Sequence, residues 1–235
     1  MPVVKKKESI EKMFDDISPK YDFLNHFLSF GIDFLWRKEL VKLLRVKNPG
    51  TILDVASGTG DLAVALASLK PEKIVGIDIA DKMLEIGREK IREKGLEGMI
   101  SFRQSNAEHI PFSDRSFDAV TVAFGVRNFE NLTQGLSEMK RILRPGGTMM
   151  ILEFSHPSSP FIRQGFRFYS KFIIPFLGKL ISRHSQAYTY LPESVATFPS
   201  GSEFLKILTA LDLKNGKVKP LSFGIASIYY AEKPL

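Results

Sequence analysis

The 235-residue sequence contains no cysteine, which excludes disulfides, thiolate metal sites and a cysteine nucleophile. Histidine is scarce: His26, His109, His156 and His184 are scattered without ligand-type spacing, so they predict no metal centre. No low-complexity tract or internal repeat interrupts the chain, and the N-terminus lacks the uninterrupted apolar segment of a signal peptide. A cytoplasmic location is therefore expected. Within the aromatic stretch 161–183 the longest uncharged run, Phe172 to Gly178, falls far short of the roughly 20 residues of a membrane span. Acidic residues are outnumbered, 26 against 33 basic, and the net charge of +7 favours phosphate-rich or anionic partners without choosing among them.

What is present is an ordinary globular composition, 44% apolar and 25% charged, in a length suited to one good-sized core. Helical periodicity runs from Glu8 to Ile17, where Ser18-Pro19 is expected to break it. A Phe- and Leu-rich piece follows from Tyr21 to Phe30, and Asp33 is a plausible N-cap for a helix through Trp36, Leu40 and Leu44. About three short helices thus precede the first strand. Strands at 52–56, 73–77, 99–103, 117–123 and 147–153 then alternate with helices at 61–69, 80–94 and 131–142, which predicts a parallel sheet covered on both faces. A helix near 202–211 and strands near 213–219 and 223–231, split by Lys219-Pro220, read as a closing helix and edge hairpin. The whole of 1–235 reads as one domain: a helical cover over 1–48, an alternating core over 49–154, an insertion over 155–200 and the closing elements over 201–235.

Residues 51 to 61, Thr-Ile-Leu-Asp-Val-Ala-Ser-Gly-Thr-Gly-Asp, form a strand, a tight turn and a helix start. Glycine lets backbone approach a ligand closely, and the first N–H groups of a helix lack intrahelical partners. Gly58-Thr59-Gly60-Asp61-Leu62-Ala63 formally matches the G-x-G-x-x-A of dinucleotide folds, and Asp78 ends the second strand where a ribose ligand belongs. Asp54 alters that reading, because a carboxylate under the turn opposes a pyrophosphate and suits a cationic amino group. Both acids also fit plain turn capping.

Asp54-x-x-x-Gly58-x-Gly60 resembles the S-adenosylmethionine motif of class I methyltransferases. The resemblance implies that α/β fold: a doubly wound, mostly parallel seven-stranded sheet with a C-terminal antiparallel hairpin and an N-terminal helical cover. It implies S-adenosyl-L-methionine as cofactor, with Asp54, Gly58, Thr59 and Gly60 around its amino-acid portion. Asp78 would accept both ribose hydroxyls, and Asn106 and Ala107 would meet the adenine edge.

Longer stretches resemble the ubiquinone/menaquinone biosynthesis C-methyltransferases, and the final strands are most similar to demethylmenaquinone methyltransferases. They are Tyr21-Asp-Phe-Leu-Asn25 through Trp36-Arg37, Phe124-Gly-Val-Arg-Asn128, Arg141-Ile-Leu-Arg-Pro-Gly-Gly147 through Ser155, Tyr188-Thr-Tyr-Leu-Pro-Glu-Ser194, Phe198-Pro-Ser-Gly201 and Phe223-Gly-Ile-Ala226. Nearly the whole chain is covered. Leu24 stands where methionine is usual, Asp33 where histidine is usual, and Asn131 where aspartate is frequent; Asn131 keeps the capacity to cap a helix.

This resemblance implies ring-carbon methylation of a prenylated quinol, demethylmenaquinol or the benzoquinol of the ubiquinone pathway, in respiratory quinone biosynthesis. In that chemistry a ring carbon attacks the sulfonium methyl once a neighbouring hydroxyl loses its proton, and no metal is required. Arg127, after the fourth strand, is the candidate cation beside the ionised oxygen, acting directly or through an oriented water because its own pKa exceeds about 12. Asn128 is the positioning candidate, and Tyr188 and Tyr190 are candidates for the quinol oxygens. The competing roles are a structural ion pair for Arg127 and packing for the tyrosines. Tyr21, Asn25 and Trp36 are placed to close the cover over the donor.

Phe161 to Arg183 interleaves aromatics with Arg163, Arg167, Lys171, Lys179 and Arg183. That pattern fits an interfacial segment reaching lipid phosphates, and equally a core helix with solvated bases. Expected partners are the lipophilic prenylated quinol and, peripherally, an anionic surface at the inner face of the cytoplasmic membrane; a homodimer is compatible with the sequence. The alternatives are methylation of another small molecule or of RNA or DNA, and non-catalytic S-adenosylmethionine binding. The Asn/Asp-Pro-Pro-Tyr motif is absent and the bases form no distinct module, which argues against nucleic acid.

Overall fold

The computed structural model describes residues 7–169, 172 and 185–235. Its strands are β1 (Thr51–Val55), β2 (Lys73–Asp78), β3 (Ile100–Gln104), β4 (Phe117–Ala123), β5 (Leu143–Phe154), β6 (Lys214–Leu221) and β7 (Ala226–Glu232). The long helices are α1 (Lys7–Leu28), α2 (Ile32–Arg45), α3 (Asp61–Leu66), α4 (Asp81–Glu93), α5 (Leu132–Ile142), α6 (Pro160–Phe168), α7 (Ser185–Thr197) and α8 (Ser202–Ala210). One sheet runs in the order β3-β2-β1-β4-β5-β7-β6. The first five strands are parallel; β7 lies antiparallel to β5, and β6 antiparallel to β7.

Central strands are apolar on both sides because both faces are covered. Ile52 joins a layer with Leu40, Leu44 and Leu66, while its neighbour Leu53 joins the opposite layer with Leu136 and Ile142. The strand order reverses between β1 and β4. In an open α/β sheet, that reversal opens a crevice at the carboxyl ends of the strands, where ligands bind.

Ser18-Pro19 does not end the first helix. α1 runs for 22 residues through Pro19. Proline removes the N–H that would reach the Asp15 carbonyl, and Ser18 Oγ donates to that carbonyl instead, at 2.9 Å. Two helices, not three, therefore precede β1 among the described residues. Asp33 does not cap α2 either: Gly31, at φ +72°, holds the cap position, and Asp33 is buried in the first turn. Asn131 does cap α5, accepting the Gln134 N–H at 3.0 Å. Pro220 lies inside β6 rather than between the last strands, which suits an edge strand that needs no full ladder of donors. Residues 3–6 of the basic arm, and all of 170–183 except Phe172, lie outside the described residues. No helix among the described residues is long and apolar enough to cross a membrane.

Candidate active site

Two cavities lie over the crevice and share a wall. The smaller, about 70 Å³, sits over the glycine turn and is lined by Gly58, Asp78, Asn106 and Ala107, with Ile10 and Phe14 of α1 closing it. Gly60 has φ +80°, and a Cβ there would stand 2.6 Å from Phe102 Cζ, so only glycine lets the turn pack on β3. The Gly58 N–H is not an open donor: it bonds Asp78 Oδ2 at 2.8 Å, while the Ala80 N–H bonds Oδ1 at 2.9 Å. Asp78 thus caps the turn and lines the cavity at once. Burial pushes its pKa up to about 6, against the pull of the Ala80, Gly58 and Ile79 amides.

Asp54 lies beneath the turn and does not line the cavity. Its carboxylate accepts the Ser57 hydroxyl at 2.7 Å and the Thr121 hydroxyl at 2.8 Å, and burial pushes its pKa up to about 7 against those bonds. Its charge acts on the cavity through the field alone. The Thr59 side chain also turns away from the ligand space, donating its hydroxyl to Asp22 of α1.

The larger cavity, about 780 Å³, is mostly apolar, with Leu24, Leu28, Trp36, Phe166, Leu191 and Val195 in its wall. Small-molecule sites span roughly 300–1,000 Å³, so a whole ring and part of a long tail find room. Phe14, Tyr21 and Phe124 line both cavities. Phe124 holds a positive φ of 58°. A Cβ on the adjacent Gly125 would stand 2.5 Å from Ala56 Cβ, a close approach that clamps the end of β4 onto the end of β1.

At this junction three of the four acceptor-side candidates converge. Arg127 lines the large cavity and Asn128 the small one, and the Tyr190 hydroxyl donates to Asn128 Oδ1 at 3.0 Å. The Tyr188 side chain lies outside the described residues. Arg127 Nη1 donates to Glu153 Oε1 at 2.9 Å and to the Phe124 carbonyl, and the Arg127 N–H reaches Glu153 Oε2 at 3.3 Å. The ion pair envisaged for Arg127 therefore exists, and it fixes the guanidinium at the cavity wall with Nε buried and unpartnered. Glu153 was not singled out from the sequence. Its signal was an acid closing the otherwise apolar run Met149-Met-Ile-Leu152.

The model of the ubiE/COQ5 methyltransferase family matches residues 1–233. The chain belongs to this family. A demethylmenaquinone methyltransferase of Bacteroides fragilis is 45% identical over 230 residues, 97% of this chain and 94% of its own. A ubiquinone/menaquinone biosynthesis C-methyltransferase of Geotalea uraniireducens is 46% identical over 233 residues, 98% and 99% of the two chains. Among solved structures, a SAM-dependent methyltransferase from Thermotoga maritima superposes with a TM-score of 0.68 at 19% identity, over 95% of this chain and 99% of that one, a likeness of fold.

The cofactor of such a methyltransferase fits the residues present. Asp78 offers a carboxylate to a ribose diol, the Asn106-Ala107 step an edge for a purine, and Ile79 and Met83 apolar sides for its faces. The ionised form of Asp54 supplies negative potential below a cationic amino-acid end. Ile10 and Phe14 of α1 lie over this space, so α1 forms part of the wall that a bound donor would meet.

What holds α1 down was not legible in the sequence. Lys90 Nζ lies 2.8 Å from Asp22 and 2.6 Å from Asp61, and Arg37 pairs with Asp33 and lies 3.6 Å from Asp61. His26 Nδ1 donates to Asp33 at 2.7 Å. Burial opposes the ionised Asp33, but bonds from Ser29, Arg37 and His26 outweigh it and hold the pKa below the usual carboxylate value. Asp22, His26 and Asp61 approach closely enough to suggest a metal site, but the Lys90 ammonium already fills the cation position between the two acids. Arg141, prominent in the family signature, is structural: it bonds Glu138, Asp114 and the carbonyls of Ile110 and Phe112, pinning the loop after β3 to α5.

Proposed function

We propose that this methyltransferase transfers the methyl group of S-adenosyl-L-methionine to a ring carbon of a prenylated quinol, demethylmenaquinol first, in respiratory quinone biosynthesis. The observation that carries the reading is the meeting of a small cavity lined by Asp78 and Gly58 with a large apolar one at Phe14, Tyr21 and Phe124. The names of the full-length relatives support the same substrate class.

Bound S-adenosylmethionine supplies an electrophilic methyl group. The chain's own residues do the rest. Apolar walls around Tyr21 exclude water and strengthen local electrostatics. The Arg127 guanidinium, locked by Glu153, stabilises negative charge on a ring oxygen without reorganising. The Asn128–Tyr190 pair holds a polar edge beside it. Burial raises the Tyr190 pKa against the opposing field of Arg127, so Tyr190 works as a neutral hydrogen-bonding group. The hydroxyl proton is released to solvent as the ring oxygen ionises against Arg127, and after methyl transfer the ring carbon's own proton is lost as that oxygen is reprotonated, one proton being released in all.

The test is incubation with methyl-labelled donor and, separately, demethylmenaquinol, the ubiquinone-pathway benzoquinol, or RNA. Label on the ring carbon of demethylmenaquinol is expected. Label in RNA alone, or in nothing despite donor binding, overturns the reading.

A further inference from the structure

The outward face of α1 changes character along its length. Through residue 20 the exposed positions include Lys12, Asp16 and Lys20, as expected for a helix whose other face packs on a core. Past residue 22 the outward positions become Phe23 and Phe27, and the elbow into α2 continues with Phe30, Ile32, Phe34 and Leu35, all exposed. Phe30 is 80% exposed and Leu35 61%. The inward faces of the same helices are apolar too, through Leu24, Leu28, Trp36 and Leu40. The elbow is therefore apolar inside and outside, and six clustered side chains exceed what scattered surface hydrophobics explain.

α6 stands beside this elbow. Tyr169, just after it, donates its hydroxyl to the Leu28 carbonyl at 2.7 Å, and its ring lies 6.3 Å from that of Phe30. Along α6 the exposed aromatics Phe161 and Phe168 alternate with exposed Arg163 and Arg167, and the helix has no acidic residue. Both arginines border the large cavity and also an outer groove shared with Phe168 and Phe172. Phe30, Ile32 and Phe161 are exposed and line the large cavity as well, so the cavity opens to the outside through the middle of this apolar, basic face.

We propose that the α1–α2 elbow and α6 form a docking face for an anionic phospholipid surface, with the elbow aromatics in the acyl boundary and Arg163 and Arg167 on lipid phosphates. This rests on the prenylated-quinol reading, because a cavity opening into the leaflet lets a long-tailed acceptor enter without crossing water. Aromatic anchors beside bases are the chemistry of interfacial binding. A second copy of the chain fits less well, since a two-fold contact through this face sets the basic face of α6, which has no acidic residue of its own, against its own copy.

Cosedimentation of the full chain with phosphatidylcholine vesicles, with and without half phosphatidylglycerol, at low and high salt, tests the proposal. The wild type binds the mixed vesicles most tightly at low salt. Phe23→Ser/Phe27→Ser/Leu35→Ser weakens that binding at least tenfold while leaving turnover of a short-tailed, water-soluble quinol unchanged, because none of the three lines a cavity. Arg163→Gln/Arg167→Gln removes the preference for phosphatidylglycerol. A wild type that binds neither vesicle, or a triple variant that binds as the wild type does, overturns the proposal. So does a dimer that the triple substitution makes monomeric without any vesicle binding. Vesicle binding by a wild type that turns over no quinol, short-tailed or long, retains the surface and overturns the functional reading instead.

Discussion

The cavity over the glycine turn is walled by strand ends and loops together with α1, and its Asp78 carboxylate is tied into backbone, accepting the Gly58 and Ala80 N–H groups, while Asp54 beneath the turn accepts two hydroxyls. The large cavity is walled largely by α1, α2, α6 and α7 and is mostly apolar; its buried cations are Arg37 and Arg127, each paired with a buried acid, and Arg163 and Arg167 stand exposed at its edge. The first is set by the ends of β1, β2 and β4 and the loops that follow them, the second largely by helices. On the quinol-methylation reading proposed above, the donor lies over the strand ends, the acceptor lies among the helices, and transfer occurs at their junction.

The sharpest break in this division is at Arg127. Arg127→Ala should lower turnover by about 100- to 1,000-fold, as loss of one preorganised charge-stabilising donor does, while leaving the donor dissociation constant unchanged in calorimetry. It also leaves Glu153 buried and unpaired, a loss of about 3–5 kcal/mol. Arg127→Met/Glu153→Gln should recover thermal stability without recovering turnover; recovered turnover reduces Arg127 to a structural part.

Asp22 belongs to the helices yet serves the donor side. Asp22→Ala removes the Thr59 and Lys90 contacts of α1 and should weaken donor binding by about tenfold, the size of one charge-assisted hydrogen bond. Equal weakening of acceptor binding would erase the distinction between the two sides.

A smaller effect is expected from pH. A cationic donor favours ionised Asp54, so its affinity should rise severalfold as pH climbs through about 7, and Asp54→Asn should flatten that profile. Without donor the sign reverses. The folded pKa values of Asp54 and Asp78 lie above the 3.8 of the unfolded chain, so their contribution to stability is fully present below 3.8 and is lost as pH rises toward about 6 and 7. Denaturant titrations with and without donor across this window measure both slopes. Last, Tyr190→Phe removes a neutral hydrogen bond to Asn128 worth about 0.5–1.5 kcal/mol, and acceptor KM should rise by roughly threefold to tenfold with donor affinity untouched.

The alternating core was legible because strand periodicity, glycine turns and short connections are local signals. β1, β2, β4 and α5 fall within a residue or two of their expected bounds. Gly58 and Asp78 were placed by the glycine turn and the strand end, Asn106 and Ala107 by the family resemblance, and all four line the small cavity. What escaped depends on contacts between distant segments. Lys90 meets Asp22 across 68 residues, and Glu153 meets Arg127 across 26. Asp33 looked like a cap because its neighbourhood in sequence suits one, whereas the partners that bury it come from both helices of the elbow. The outward aromatics of α1 and α2 carried no separate signal in the sequence, since periodicity reports that a helix has an apolar face and not that it has two.

Pro19 was expected to cut α1 into pieces, and the Ser18 hydroxyl keeps it whole. One continuous rod therefore forms a wall of the donor cavity through Ile10 and Phe14, and of the acceptor cavity through Leu24 and Leu28. A shift of α1 would alter the space in both cavities at once. Linkage then requires that whatever factor the first ligand contributes to the affinity of the second, the second returns to the first. Because α1 is continuous through Pro19, ligands in the two cavities are expected to couple through it, and binding titrations in which each ligand ignores the other's presence would show that α1 carries no such coupling.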